Sequence, residues 1–307
     1  MSTEKINLGI DLGGTDTKAI AFHAGSRDEV SRQTTPTLYE TADDGKPMWL
    51  HEVQRLIEDI EASTGCEIDR IGICAPGFAA PDETRIVHMP GRLQELSGLD
   101  WTAELNRPSP IRVLNDAQSA LLGEIWQGAA AGLKNVFMLT LGTGVGGAVM
   151  CDGRLLKGHL GRAGHLGHVS VDYQGPPDIC NTPGSIELAV GNATLGERGE
   201  GRYANTHELV EAANAGDETA QGIWSRSIKA LAAHIASMVN VLDPEVVVIG
   251  GGIAVAGPAL FDPLNDFMNT FEWRPEGARV KLVPAQLAGW AGAFGAAYNA
   301  WEGAHHE

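Results

Sequence analysis

The sequence predicts an α/β protein of two domains, and three observations carry that prediction. Residues 6–22 (INLGIDLGGTDTKAIAF) and 136–156 (VFMLTLGTGVGGAVMCDGRLL) repeat one pattern: an apolar strand, a glycine turn with a threonine, and a second apolar strand. Helix and strand signals alternate along the chain, as they do in α/β architectures. No Ser- or Pro-rich linker divides it, so the repeated hairpins set the domain boundary. Residues 1–117 are expected to form an N-terminal domain and 118–287 a C-terminal one, with 288–307 packing back on the first.

The elements follow in order. Residues 48–62 place Leu50, Val53, Leu56, Ile57 and Ile60 on one face of a helix. Residues 70–74 (RIGIC) form a short buried strand, ended by Ala75-Pro76-Gly77. A strand over 111–114 runs into Asn115-Asp116 and a helix over 117–126. Leu231, Ile235, Met238 and Leu242 stripe a long helix that Asp243-Pro244 stops. Residues 246–249 (VVVI) are a fully apolar strand leading to Gly250-Gly251-Gly252, and the Ala/Gly-rich end, 288–301, reads as a tightly packed helix. The uncharged stretches 135–151 and 246–261 are studded with glycine and too short to span a bilayer, so both read as core strands with loops.

Composition narrows the function. The 307 residues are 43% apolar and 20% charged, ordinary for a globular protein, and long enough to bury a proper core. With 39 acidic residues against 22 basic ones, a net charge of −17 argues against nucleic acid as a partner. It does not argue against a nucleotide gripped locally by backbone amides and a metal ion. Four scattered cysteines, no signal peptide and no membrane segment point to the cytoplasm.

The chemistry concentrates in a few places. Glycine turns admit positive φ and let phosphate approach main-chain N–H groups. Asp11, Gly13, Gly14, Thr15 and Lys18 in the first hairpin, with Gly142, Thr143 and Gly144 in the second, therefore read as two phosphate loops, Asp11 acting on Mg²⁺. A carboxylate at Asp116 could take a proton from an attacking hydroxyl, although on local sequence alone Asn115-Asp116 reads first as a helix N-cap. His165 and His168, three apart, could bind metal or sugar. Glu187 could simply favour the start of a helix.

The order of these motifs resembles the ROK family of sugar kinases and regulators. IDLGGTDTK (10–18), LNDAQSALLGE (114–124), LGTGVGGA (141–148), AGHLGH (163–168) and LDPEVVVIGGG (242–252) carry the resemblance across nearly the whole chain. It implies an actin/hexokinase-type ATPase fold (ribonuclease H-like), with two domains and a central cleft. It implies Asp116 as general base and Asn115 as a sugar contact. His168 and Glu187 match positions that hold sugar hydroxyls, Gly77 the loop closing over the sugar, and Gly250, Gly251 and Gly252 the loop beside the adenosine. ATP and Mg²⁺, a small-molecule sugar and a homodimer follow as expectations.

Two departures stand out. His165 replaces the family's glutamate, exchanging a carboxylate acceptor for an imidazole with one donor and one acceptor. Where many members carry three zinc-binding cysteines, residues 178–187 read DICNTPGSIE. Cys180 remains, with Asp178 and Ser185 in the other places. His168, Asp178 and Cys180 make a poor three-ligand set, so no structural zinc is expected, and Pro176, Pro177 and Pro183 are read as stiffening the loop. The leading function is an ATP- and Mg²⁺-dependent kinase acting on a hydroxyl, the 6-hydroxyl, of a hexose or amino-hexose. The alternative is a degenerate member that binds without transferring phosphate. A DNA-binding repressor would need a helix-turn-helix segment, which is not expected ahead of a first strand beginning by Ile6.

Overall fold

The computed structural model describes residues 4–89, 93 and 95–303. Residues 1–3 and 304–307, at the outer ends of the expected domains, lie outside that set. The elements begin with β1 (Lys5–Leu12), β2 (Asp16–His23), β3 (Glu29–Pro36), α1 (Met48–Thr64), β4 (Glu67–Ala75), β5 (Phe78–Ala79) and β6 (Ile86–His88). They continue with α2 (Trp101–Glu104), β7 (Arg112–Asn115), α3 (Asp116–Gln127), β8 (Val136–Leu141), β9 (Val145–Cys151) and β10 (Arg154–Leu155). Then come α4 (Ile186–Val190), α5 (Leu195–Arg198), α6 (Thr206–Asn214) and α7 (Glu218–Leu242). β11 (Val246–Gly250), α8 (Pro258–Phe271), β12 (Lys281–Pro284) and α9 (Ala291–Gly303) complete the chain.

The two hairpins open two sheets of the same design. One runs β3-β2-β1-β4-β7 and the other β10-β9-β8-β11-β12. In the first, β1–β2 and β2–β3 are antiparallel while β1–β4 and β4–β7 are parallel. In the second, β8–β9 and β9–β10 are antiparallel while β8–β11 and β11–β12 are parallel. The chain divides into two compact units: Met1–Ala131 with Lys157–Arg162 and Gly289–Glu307, and Gly132–Leu156 with Ala163–Ala288. The boundary set at 117/118 falls in the first turn of α3. The units divide after Ala131 instead, because α3 lies along α9.

Strand alternation explains the first unit. Ile6, Leu8 and Ile10 of β1 and Ile71 and Ile73 of β4 join Trp49, Ile57 and Trp101 in one core. The residues between them face α9: a Cβ at Gly9 would lie 2.0 Å from the Ala293 carbonyl, and one at Gly72 2.0 Å from that of Ala296. Period-2 alternation thus buries aliphatics on one side and lets a helix lie close on the other. The second unit packs Phe137, Leu139, Val247 and Ile249 with Leu231 and Ile235 of α7 and Leu264 of α8.

One segment differs from expectation. Residues 258–261, read as loop, open α8, where Pro258 occupies the first turn that tolerates a missing N–H. Pro263 inside that helix leaves the Ala259 carbonyl without its usual donor, and the Trp224 indole N–H supplies one at 2.9 Å.

Candidate active site

In the first unit the parallel strands β1, β4 and β7 end side by side, and their carboxyl ends carry the expected residues. Asp11 pairs in register with Cys74, and Ala75 with Asn115. Asp11 falls on the α9 face, where a Cβ at Gly292 would lie 2.5 Å from its Oδ2. Burial pushes the Asp11 carboxyl up to about 6; a contact with Cys74 opposes the rise, the Asp116 charge adds to it and Lys18 opposes it. Carboxyl ends of parallel strands are where α/β sheets place ligands.

Asn115 is the N-cap of α3, and its Oδ1 accepts from Gln118 N–H at 2.8 Å while Gln118 Oε1 reaches back to Asn115 N–H. The cap reading is therefore correct for Asn115. Asp116 is the next residue, accessible to solvent yet ringed by protein, and that desolvation raises its carboxyl above the ordinary range against the N–H of Ala117. Two neighbouring carboxylates whose ionised forms burial disfavours are what a hard divalent cation relieves, so the donor set fits Mg²⁺. Lys18 Nζ donates to the Gly289 carbonyl at 2.6 Å and lies over the Trp290 ring. Gly77 follows β4 at φ 110°, where a Cβ would meet the His88 carbonyl at 2.7 Å.

The turn Gly13-Gly14-Thr15 joins β1 to β2, and Gly142-Thr143-Gly144 joins β8 to β9. None of these four glycines has positive φ, contrary to the conformational argument from sequence. Space is the reason at two of them: a Cβ at Gly13 would lie 2.6 Å from the Asp16 carbonyl, and one at Gly144 2.3 Å from Glu187 Oε2. Gly251 does use the left-handed region, at φ 87° against the Leu141 backbone.

In the second unit Glu187, in the first turn of α4, accepts the Val145 N–H at 3.0 Å and so braces the second turn. His165 precedes the 3₁₀ turn Leu166–His168, half-buried, and burial followed by the His168 charge keeps its ring pKa below the usual value. Gly250 ends β11, and Gly252 lines a cavity of about 620 Å³ with Asn192, Asn205, Thr206, His207 and Val255. That volume is in the range of small-molecule sites.

The structure also gathers His168, Asp178 and Cys180. His168 Nδ1 lies 2.8 Å from Asp178 Oδ2, and Nε2 lies 3.6 Å from Cys180 Sγ. Their ligand atoms fall within 4.8 Å of one another. A closed zinc site takes four donors at about 2.0–2.3 Å, and among the described residues three are found. Partial desolvation, Asp178 and Glu187 push the Cys180 thiol up. Among the described residues the set falls one donor short of a closed structural site. Pro177 and Pro183 pair across the loop.

Sequence reasoning missed Asn192, whose N–H binds the Gly142 carbonyl at 2.9 Å and whose Oδ1 accepts from both N–H and hydroxyl of Thr206. It also missed Thr37 and Tyr39, which hold the first turn. Asn205, with Glu208 three residues on, carried a cap signal that could have marked the start of α6.

A sequence profile described as the ROK family matches residues 7–302. A glucokinase of Thermotoga maritima is 34% identical over 94% of this chain and 95% of its own. An N-acetylmannosamine kinase of Vibrio cholerae serotype O1 is 31% identical over 91% of this chain and 93% of its own. The crystal structure of a ROK hexokinase from Thermus thermophilus superposes with a TM-score of 0.83 at 29% identity, over 98% of this chain and all of that one.

Proposed function

The chain belongs to the ROK family and is a sugar kinase, and we propose that it transfers the γ-phosphoryl group of ATP to the 6-hydroxyl of a hexose or amino-hexose. The observation that carries this reading is the pair of carboxylates at the strand ends, accessible Asp116 beside half-buried Asp11, both with raised pKa. Asp116 accepts the proton of the attacking hydroxyl, and a raised pKa makes it a better base than an ordinary surface carboxylate. Asn115, fixed by its capping bonds, and His165, His168 and Glu187 hold the sugar. Gly77 borders the loop that closes over it. Phosphates rest on the turns at Gly13, Gly14, Thr15 and at Gly142, Thr143, Gly144, with Lys18 supplying positive charge. The nucleoside takes the cavity beside Gly250, Gly251 and Gly252. Mg²⁺, held through Asp11, would neutralise developing phosphate charge. The resemblance implies a homodimer, and the scattered cysteines favour the cytoplasm. Among the described residues no helix is long and apolar enough to cross a membrane.

The test is ADP release with ATP and Mg²⁺ across a panel of hexoses and amino-sugars, including glucose and N-acetylmannosamine. Sugar-dependent release is expected, and Asp116→Asn should lower kcat by about 10²–10⁴-fold, the usual worth of a general base. Activity should fall on acidification through a pKa above the ordinary carboxylate range. Full activity in Asp116→Asn would remove Asp116 from its role. No release with any sugar, from protein that binds ATP, would favour a binding protein.

A further inference from the structure

The segment after β3 holds the first glycine turn by three consecutive carbonyl oxygens. Thr37 Oγ1 donates to the Gly13 carbonyl at 2.8 Å, the Tyr39 hydroxyl donates to that of Gly14, and the Thr37 N–H donates to that of Thr15 at 2.8 Å. Thr37 is buried, and its oxygen lies 3.0 Å from Thr17 Oγ1. Since the Thr37 proton goes to Gly13, Thr17 donates, and the two hydroxyls form a relay ending on the turn.

Peptide planarity gives this brace its consequence. In a trans peptide the C=O of one residue and the N–H of the next point in opposite directions. Drawing the carbonyls of Gly13, Gly14 and Thr15 toward residues 37–39 therefore aims the N–H groups of Gly14, Thr15 and Asp16 the other way. Successive N–H groups facing one side make an anion-binding concavity, whereas a carbonyl facing a polyphosphate would repel it. Gly14, Thr15 and Asp16 are exposed, as a ligand-binding turn must be. The carbonyls of the second turn are held by backbone alone: those of Gly142 and Thr143 accept from Asn192 and Ala193 N–H, each at 2.9 Å.

We propose that Thr37 and Tyr39 are positioning residues for the nucleotide's phosphate chain, orienting the first turn by binding its carbonyls. The proposal rests on the kinase reading above. The first turn is the one whose brace uses side-chain hydroxyls, so substitution can probe it. Binding of a non-hydrolysable ATP analogue, and of adenosine, would be measured for the wild type, Tyr39→Phe, Thr37→Val and Thr37→Ser, together with KM for the sugar and Tm. Loss of one such hydrogen bond should weaken the analogue by about three- to ten-fold in Tyr39→Phe. Thr37→Val should do at least as much and Thr37→Ser should restore binding. Adenosine affinity and sugar KM should stay at wild-type values. Unchanged analogue affinity in both Tyr39→Phe and Thr37→Val overturns the proposal while leaving the kinase reading intact. Parallel loss of adenosine, analogue and sugar with a fall in Tm also overturns it, as general loosening of the unit. A wild type that binds no triphosphate sinks the kinase reading and this proposal together.

Discussion

Burial of the Asp11 carboxylate costs the folded state stability above the ordinary carboxylate range. Its carboxyl is pushed from 3.8 to about 6 in the folded state, so between those pH values the native protein holds a proton that the unfolded chain has lost. The contribution of Asp11 to ligand-free stability is full below pH 3.8, falls as pH rises to about 6 and is level beyond. Asp11→Asn, which removes the charge and keeps the shape, should raise the ligand-free stability at pH 8 by about 1–3 kcal/mol while abolishing phosphoryl transfer. Thermal melts at pH 4 and pH 8 would check it: the gain should appear at pH 8 and vanish at pH 4. A variant less stable than wild type at pH 8 would contradict the reading. Asp11 stood out beside its glycine turn, whereas Asp116 read locally as a helix cap and was singled out by the order of the motifs along the chain. Thr37 and Tyr39 gave no such signal, since their partners lie 24 and 25 residues away and ordinary Thr and Tyr carry no spacing rule.

At the scale of elements, α9 is the one that most depends on small residues. Gly9 of β1, Gly72 of β4 and Gly123 of α3 each approach its backbone, and a Cβ on Gly295 would fall 1.7 Å from the Ser119 carbonyl. Backbone cannot yield as a flexible side chain can, so Gly295→Ala should destabilise by about 1–3 kcal/mol or more despite alanine's better helix propensity. Urea unfolding would measure it, and a stabilised variant would show that the helix can shift outward. The Ala/Gly composition of 288–301 made this helix legible. Its first three residues form a 3₁₀ turn, with α9 starting at Ala291. Glu187 marked the start of α4, but α5 and α6 were not legible, because segments of four and nine residues offer too few turns for periodicity to register.

The whole chain has the actin/hexokinase-type fold, with one sheet design used twice. The first unit gathers distant pieces of sequence, and a buried ion cluster helps to hold them. Glu83, 4% exposed and at φ 59°, meets Arg112 of β7, Lys157 of the returning segment and Asn299 of α9. Burial pushes its carboxyl up, but Lys157, Arg112 and Asn299 together keep it below the ordinary value. Its contribution is therefore present near neutrality and lost as pH falls through the folded-state pKa. Glu83→Ala would leave two cations facing each other and should cost about 3–5 kcal/mol. The deficit, measured by denaturant titration, should shrink toward acid pH; a constant deficit would assign the effect to backbone strain instead.

The repeated hairpins, the strands that follow them and the glycine turns were determined by sequence alone. They rest on local rules, two-residue alternation and the small set of residues that allow close backbone approach. Tertiary structure decided which carboxylates become neighbours, that Gly13 and Gly144 are set by space rather than by φ, and that residues 157–162 rejoin the first unit. Those outcomes depend on burial and on contacts between segments 60 to more than 200 residues apart, as from Asp11 to Cys74 and from Glu83 to Asn299. A pattern read along the chain registers neighbours a few positions away. It carries no record of which surfaces the packed core will press together.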